Sequence, residues 1–179
     1  MPRKADPKLE KNILIAATRL LDRRGLDAVT MREVAKAAGT TTPTLYERFK
    51  DRDALLVGIL DRVADEMLVR VEPINSVEGM AEECLRYCLE IPNRIDLMHR
   101  VWPHTIPTDR QRPVFDLAVK RLQSQHGHSY KKADEIASAI LAVLLGTAIL
   151  MIGAGTKTDF AIKTRKIGLK SVQLLCKGM

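Results

Sequence analysis

The stretch Thr30-Met31-Arg32-Glu33-Val34-Ala35-Lys36-Ala37-Ala38-Gly39-Thr40-Thr41-Thr42-Pro43-Thr44-Leu45-Tyr46-Glu47-Arg48-Phe49 decides how this chain is read. Thr30 is placed to cap a short helix, Met31 to Ala38, with Glu33 three residues on completing a capping box. Gly39 then supplies a residue that accepts positive φ, which ends the helix and turns the chain. Thr40 or Thr41 can cap the next helix, where Pro43 falls early enough to be tolerated, and that helix runs through Leu45 and Tyr46 to about Phe49. Ala35 is the small residue where two helices cross, Leu45 pins the second to the core, and Val34, Ala38 and Phe49 complete the mini-core. These are the dimensions of a helix-turn-helix. An ordinary αα-hairpin shares them, so spacing alone leaves both readings open.

Working outward, Leu9, Ile13, Ala16, Ala17, Leu20 and Leu21 form one apolar face of a helix that Gly25 ends. A fourth helix follows from Asp51, with Leu55, Leu56, Ile59, Leu60, Val63 and Met67 as its stripe. Asn75 with Glu78 suggests a capping box for a helix to about Ile91. A short helix then carries Ile95, Leu97, Met98 and Trp102, and Pro103 to Pro107 reads as a loop. Thr108 opens a helix through Leu122, and His126-Gly127-His128-Ser129 is a turn. Two longer helices, about 130–153 and 159–177, finish the chain. The expectation is an all-α protein of about nine helices: a three-helix domain over residues 1–52 and a larger helical domain over 53–179.

Composition agrees with that class. Aromatics make up only 4% of the 179 residues, against the needs of a β-sandwich. Hydrophobic residues at 46% and charged ones at 28% exclude a disordered chain. Three cysteines, Cys84, Cys88 and Cys176, form no disulfide framework and suit a reducing compartment. No apolar run follows Met1, so a cytoplasmic location is expected. Of the net charge of +7, residues 1–52 hold +5 (12 Lys/Arg against 7 Asp/Glu) and the other 127 hold +2. A basic first third points toward a polyanion, of which nucleic acid is the commonest.

The run from Ile13 to Leu56, and above all the quoted stretch, resembles the TetR family of bacterial transcriptional repressors. The shared pattern is Gly39, three variable residues, Pro43, Thr44, Leu45, Tyr46 and Phe49, followed by Arg52 and Leu55-Leu56. The resemblance implies a three-helix DNA-binding domain whose third helix enters the major groove. Thr42, Pro43 and Thr44 would then meet base edges or thymine methyl groups, and Arg32 a guanine or a phosphate. Tyr46 would meet the backbone or a thymine methyl. Thr30, Thr41, Arg48, Lys50 and Arg52 complete the expected DNA-binding set, chiefly as phosphate contacts. Arg48 stands where the family often has histidine, and Arg52 where it often has lysine. Three threonines in the recognition helix do not suit bidentate guanine readout.

Residues 136–156 contain no charge and are long enough to cross a membrane. Their many small residues favour a helix buried on nearly all sides. The resemblance implies that the last two helices pair with their mates in a homodimer, with Ala142, Gly146 and Ala148 allowing close approach. It further implies a small-molecule effector, for which Cys88, Met98, His99, Trp102, Phe115 and Met151 are the candidate ligand-binding residues, with His104 as a second polar group. Cys84 and Cys88, four apart, read as buried small hydrophobes rather than a thiol sensor or half a metal site. No cofactor or metal is expected. No phosphate-binding loop, metal quartet or nucleophile elbow speaks for an enzyme. Two functions remain: a repressor released from a palindromic operator by its ligand, and a ligand-independent architectural DNA-binding dimer.

Overall fold

The structure, a computed structural model, describes residues 7–105 and 112–177. Among them are nine α-helices and no strand: α1 (Pro7–Arg24), α2 (Met31–Ala37), α3 (Thr42–Tyr46), α4 (Arg52–Val71), α5 (Val77–Glu90), α6 (Asn93–Thr105), α7 (Pro113–His126), α8 (Tyr130–Ala154) and α9 (Asp159–Cys176). The all-α expectation is met, and the punctuation follows local chemistry. Side-chain oxygens of Thr30, Thr41, Asp51, Ser76, Ser129 and Thr158 each accept a backbone N–H in the first turn of the helix they open. Gly127 closes α7 in the left-handed conformation.

Four expectations are corrected. The cap of α5 is Ser76, whose Oγ accepts from Gly79 N at 3.1 Å, not Asn75 with Glu78. The expected box on α2 is half made: Thr30 accepts from Glu33 N, but the Glu33 carboxylate turns to Arg24 at 3.0 Å. Helix α3 ends at Tyr46 rather than near Phe49. Helix α6 continues through Pro103 to Thr105, since a proline near a helix end fits helical φ and forfeits one hydrogen bond. Helix α7 begins at Pro113, a tolerated first-turn position; the expected start at Thr108 lies outside the described residues.

One apolar core runs from α1 through α6, with Ile13, Leu21, Val34, Leu45, Leu55 and Ile59 fully buried, and reaches α8 and α9 at Ala148, Met151 and Ala161. A second lies between α5, α7, α8 and α9, around Val77, Phe115, Leu122, Ile140 and Val172. Helix α4 packs against α1, α5, α6 and α7, and its first residue, Arg52, reaches the turn that precedes α2.

Helix α8 is long and apolar enough to cross a membrane by length and composition. It is not buried on nearly all sides, as composition had suggested. One side packs on α5, α7 and α9, while Ala142, Gly146, Ile149, Leu150 and Gly153 form an exposed stripe on the other. Ala148 belongs to the core, not to that stripe. Phe160, Ile167 and Leu174 of α9 are exposed at seven-residue intervals. Between the two helices, Gly168 lies so close to Thr147 that no Cβ would fit.

Candidate nucleic-acid interface and internal cavity

Helices α2 and α3 are held at a fixed angle by a few local devices. Gly39 turns the chain with φ +65°, and Thr40 N donates to Ala35 O at 2.9 Å across the turn. Val34, Ala35 and Leu45 are buried where the helices cross. Thr41 Oγ1 accepts from Thr44 N at 3.3 Å and shares a hydrogen bond with Thr44 Oγ1 at 2.9 Å. The two hydroxyls therefore fix each other, and Thr44 is presented in a set orientation.

Around this frame Thr30, Arg32, Thr41, Pro43, Tyr46 and Lys50 are exposed, and Thr42, Thr44 and Arg48 half-exposed. Tyr46 keeps 52% of its surface free although it directly follows the fully buried Leu45. The helical turn that anchors Leu45 thus carries Tyr46 outward. Arg48 has its Nε buried without a hydrogen-bond partner.

Arg52 departs from the expected set. Its Nε donates to Val29 O at 2.7 Å and its Nη2 to Leu26 O at 2.9 Å. The guanidinium clamps the first turn of α4 to the 3-10 turn Leu26–Ala28 and the entry to α2. That is a positioning task inside the domain, where the sequence had suggested a phosphate contact.

A cavity of about 150 Å³ lies farther along α4, lined by residues of α4, α5, α6, α7 and α8. Cys88, Met98 and Phe115 line it, as expected from the sequence. Two expected residues do not. His99 is exposed on α6, beside a separate surface hollow that also touches Ile149 and Ile152. Met151 is buried in the core outside the cavity. The side chains of Trp102 and His104 lie outside the described residues. Sequence reading missed Leu60, Ala64 and Met67 of α4, Met80 of α5, and Leu141 and Leu144 of α8. The stripe spacing on α4 held a signal for Leu60 and Met67, but it could not separate core from cavity wall.

Cys84 and Cys88 both face the cavity, and burial pushes both thiols up to about 12, so they stay neutral at ordinary pH. Among the described residues no cluster of His, Cys, Asp and Glu is arranged to hold a metal ion.

Comparison with known proteins agrees with this arrangement. Residues 13–59 match the family profile described as bacterial regulatory proteins, tetR family. The HTH-type transcriptional regulator HbdR of Aromatoleum sp. (strain CIB) is 28% identical over 123 residues, 66% of this chain and 48% of HbdR. The regulator EthR of Mycobacterium tuberculosis (strain H37Rv) is 39% identical over 57 residues, 32% of this chain and 26% of EthR. The matched segments thus span half or less of those relatives. Among solved structures, a TetR variant from Acinetobacter baumannii AYE in complex with minocycline superposes with a TM-score of 0.70 at 19% identity, covering 98% of this chain and 96% of that one. At that identity the likeness concerns the fold.

Proposed function

The chain belongs to the TetR family of bacterial transcriptional regulators, and on that footing we propose that it is a homodimeric, cytoplasmic repressor that a small molecule releases from a palindromic operator. Residues 1–52 act as the DNA-binding domain and 53–179 as the ligand-binding and dimerisation domain. The observation that carries this reading is the course of α4. Its first residue, Arg52, is tied to the turns that set α2 and α3, and its middle residues, Leu60 to Met67, wall the cavity. A molecule entering the cavity presses on the same rod that positions the DNA-reading helix.

Helix α3 then lies in the major groove, with Thr42, Pro43 and Thr44 toward base edges. Tyr46, Arg32, Thr30, Thr41, Arg48 and Lys50 set its register on phosphates and sugars. The exposed apolar stripes of α8 and α9 meet their mates in a second copy. Two-fold symmetry places two α3 helices about 34–36 Å apart, one turn of duplex. A shift of α4 in each protomer changes that separation, so ligand binding and operator binding draw on different conformations.

The test is fluorescence anisotropy on duplex from the gene's own upstream region and on a scrambled duplex, at moderate salt, with Tyr46→Ala as control. Tight binding to the native duplex alone, weakened by the substitution, is expected. Equal binding to both, erased by salt, would instead favour a ligand-independent architectural protein.

A further inference from the structure

Resting on the effector reading of the cavity, we infer that the molecule it takes is an uncharged, apolar compound the size of a single aromatic ring. The walls are aliphatic, thioether and aromatic carbon from Leu60, Val63, Met67, Met80, Met98 and Phe115. An apolar space of about 150 Å³ has room for one benzene-sized molecule. Unbranched methionines let the wall adapt to its outline.

Among the described residues the cavity lacks a buried charge to answer a charged guest. Asp61 and Arg112 are the charged side chains among its lining residues. Asp61 is exposed to solvent. Arg112 lies 3.9 Å over the Phe115 ring and 3.6 Å from Asp134, so its charge is answered from within the protein. Glu83, the buried carboxylate beside Cys84 in sequence, turns to Arg86 at 2.9 Å and Arg70 at 3.5 Å instead. The two thiols remain neutral, held so by burial, and supply no thiolate for a cation or an electrophile. A carboxylate or ammonium carried inside would lose its hydration and find no buried partner among the described lining residues.

The experiment is titration calorimetry and thermal melting of the full chain with ethylbenzene, benzoate and benzylammonium, followed by operator anisotropy with the same three compounds. Ethylbenzene is expected to bind at least about tenfold more tightly than either ion and to raise the melting temperature. Filling the space with Ala118→Phe abolishes that heat while melting stays cooperative. Should that variant misfold, Leu141→Ala, which enlarges the space, is expected to admit naphthalene, which the parent protein excludes. Preference for either ion, or no binding by ethylbenzene, overturns the inference. Ethylbenzene binding that leaves operator affinity unchanged upholds the chemistry assigned to the cavity and overturns the effector reading instead.

Discussion

Arg94 of α6 grips Asp22 of α1 with two parallel hydrogen bonds, Nε to Oδ1 at 2.7 Å and Nη2 to Oδ2 at 2.8 Å. The same guanidinium reaches Glu66 of α4 through Nη1 at 2.6 Å and lies against the Tyr87 ring of α5. Burial works against its charge, but Asp22 and Glu66 more than offset that, and its pKa is raised. Asn93 adds a hydrogen bond to Asp22 O at 3.0 Å. Four helices meet at this one side chain, and the end of α1 is anchored to α4, α5 and α6.

Asp22→Asn tests that anchor. It keeps the shape but removes the charge facing a guanidinium whose side chain is only 6% exposed. Breaking a buried ion pair costs about 3–5 kcal/mol; with Asp22 24% exposed, about 2–3 kcal/mol is expected. Urea unfolding measures it, and a loss below about 0.5 kcal/mol would refute the anchor.

Arg52 and Arg48 are expected to part company although the sequence placed both on phosphates. Arg52→Ala leaves Val29 O without its side-chain donor and lowers stability by about 1–3 kcal/mol. Arg48→Ala and Lys50→Ala leave melting nearly unchanged and flatten the salt dependence of operator binding by about 0.9 in log–log slope for each phosphate no longer neutralised. Tyr46→Ala, at an exposed position, weakens operator binding by about 5–30-fold, equivalent to one or two kcal/mol. Anisotropy across a salt series, paired with melting curves, separates the two behaviours.

The contrast between these arginines shows what the sequence could disclose. Thr30, Gly39, Thr41 and Leu45 act on neighbours within a few residues, so their roles were legible from spacing. The partners of Arg52 lie 23 and 26 residues away, and Asp22 lies 72 residues from Arg94, so no local pattern announced either pairing. In the cavity, Met98 and His99 are adjacent, yet about 100° of helical turn puts one inside and the other in solvent. From Ile136 on, helix α8 is apolar on every side, so periodicity did not say which face meets the core; Met151 shares the buried face of Ile140 and Leu144 but sits two turns farther along, past the end of the cavity. The chain states its helices clearly, but which side of an apolar helix faces empty space is settled only by packing.

Alkaline pH is expected to destabilise the protein through Cys84 and Cys88. An acid whose folded pKa is raised, here from 9.0 to about 12, stays neutral in the fold while ionising in the unfolded chain. Its stabilising effect is complete below about pH 9 and is lost as pH rises toward 12. Each unit in that window removes about 1.4 kcal/mol per thiol. Cys84→Ala/Cys88→Ala is expected to flatten stability measured by urea between about pH 8 and 10, on either side of the ordinary thiol value, whatever its cavity cost at neutral pH. An unchanged slope would show that these thiols ionise freely in the fold.

Two glycines on neighbouring helices separate dimerisation from folding. A Cβ at Gly168 runs into Thr147, so Gly168→Val must force α9 away from α8 and unsettle each protomer. A Cβ at Gly146 meets nothing within 4 Å in the single chain, because that side of α8 is uncovered. Gly146→Gln relieves the helix of a glycine, a gain of up to about 1 kcal/mol in a lone protomer. If the α8 stripe seats the mate of a second copy, however, the new side chain holds the two helices apart. The expected result is a protein with undiminished helicity that sediments as a monomer and loses operator affinity, because one α3 cannot span two half-sites. A dimer that survives Gly146→Gln would place the interface between copies on some other face.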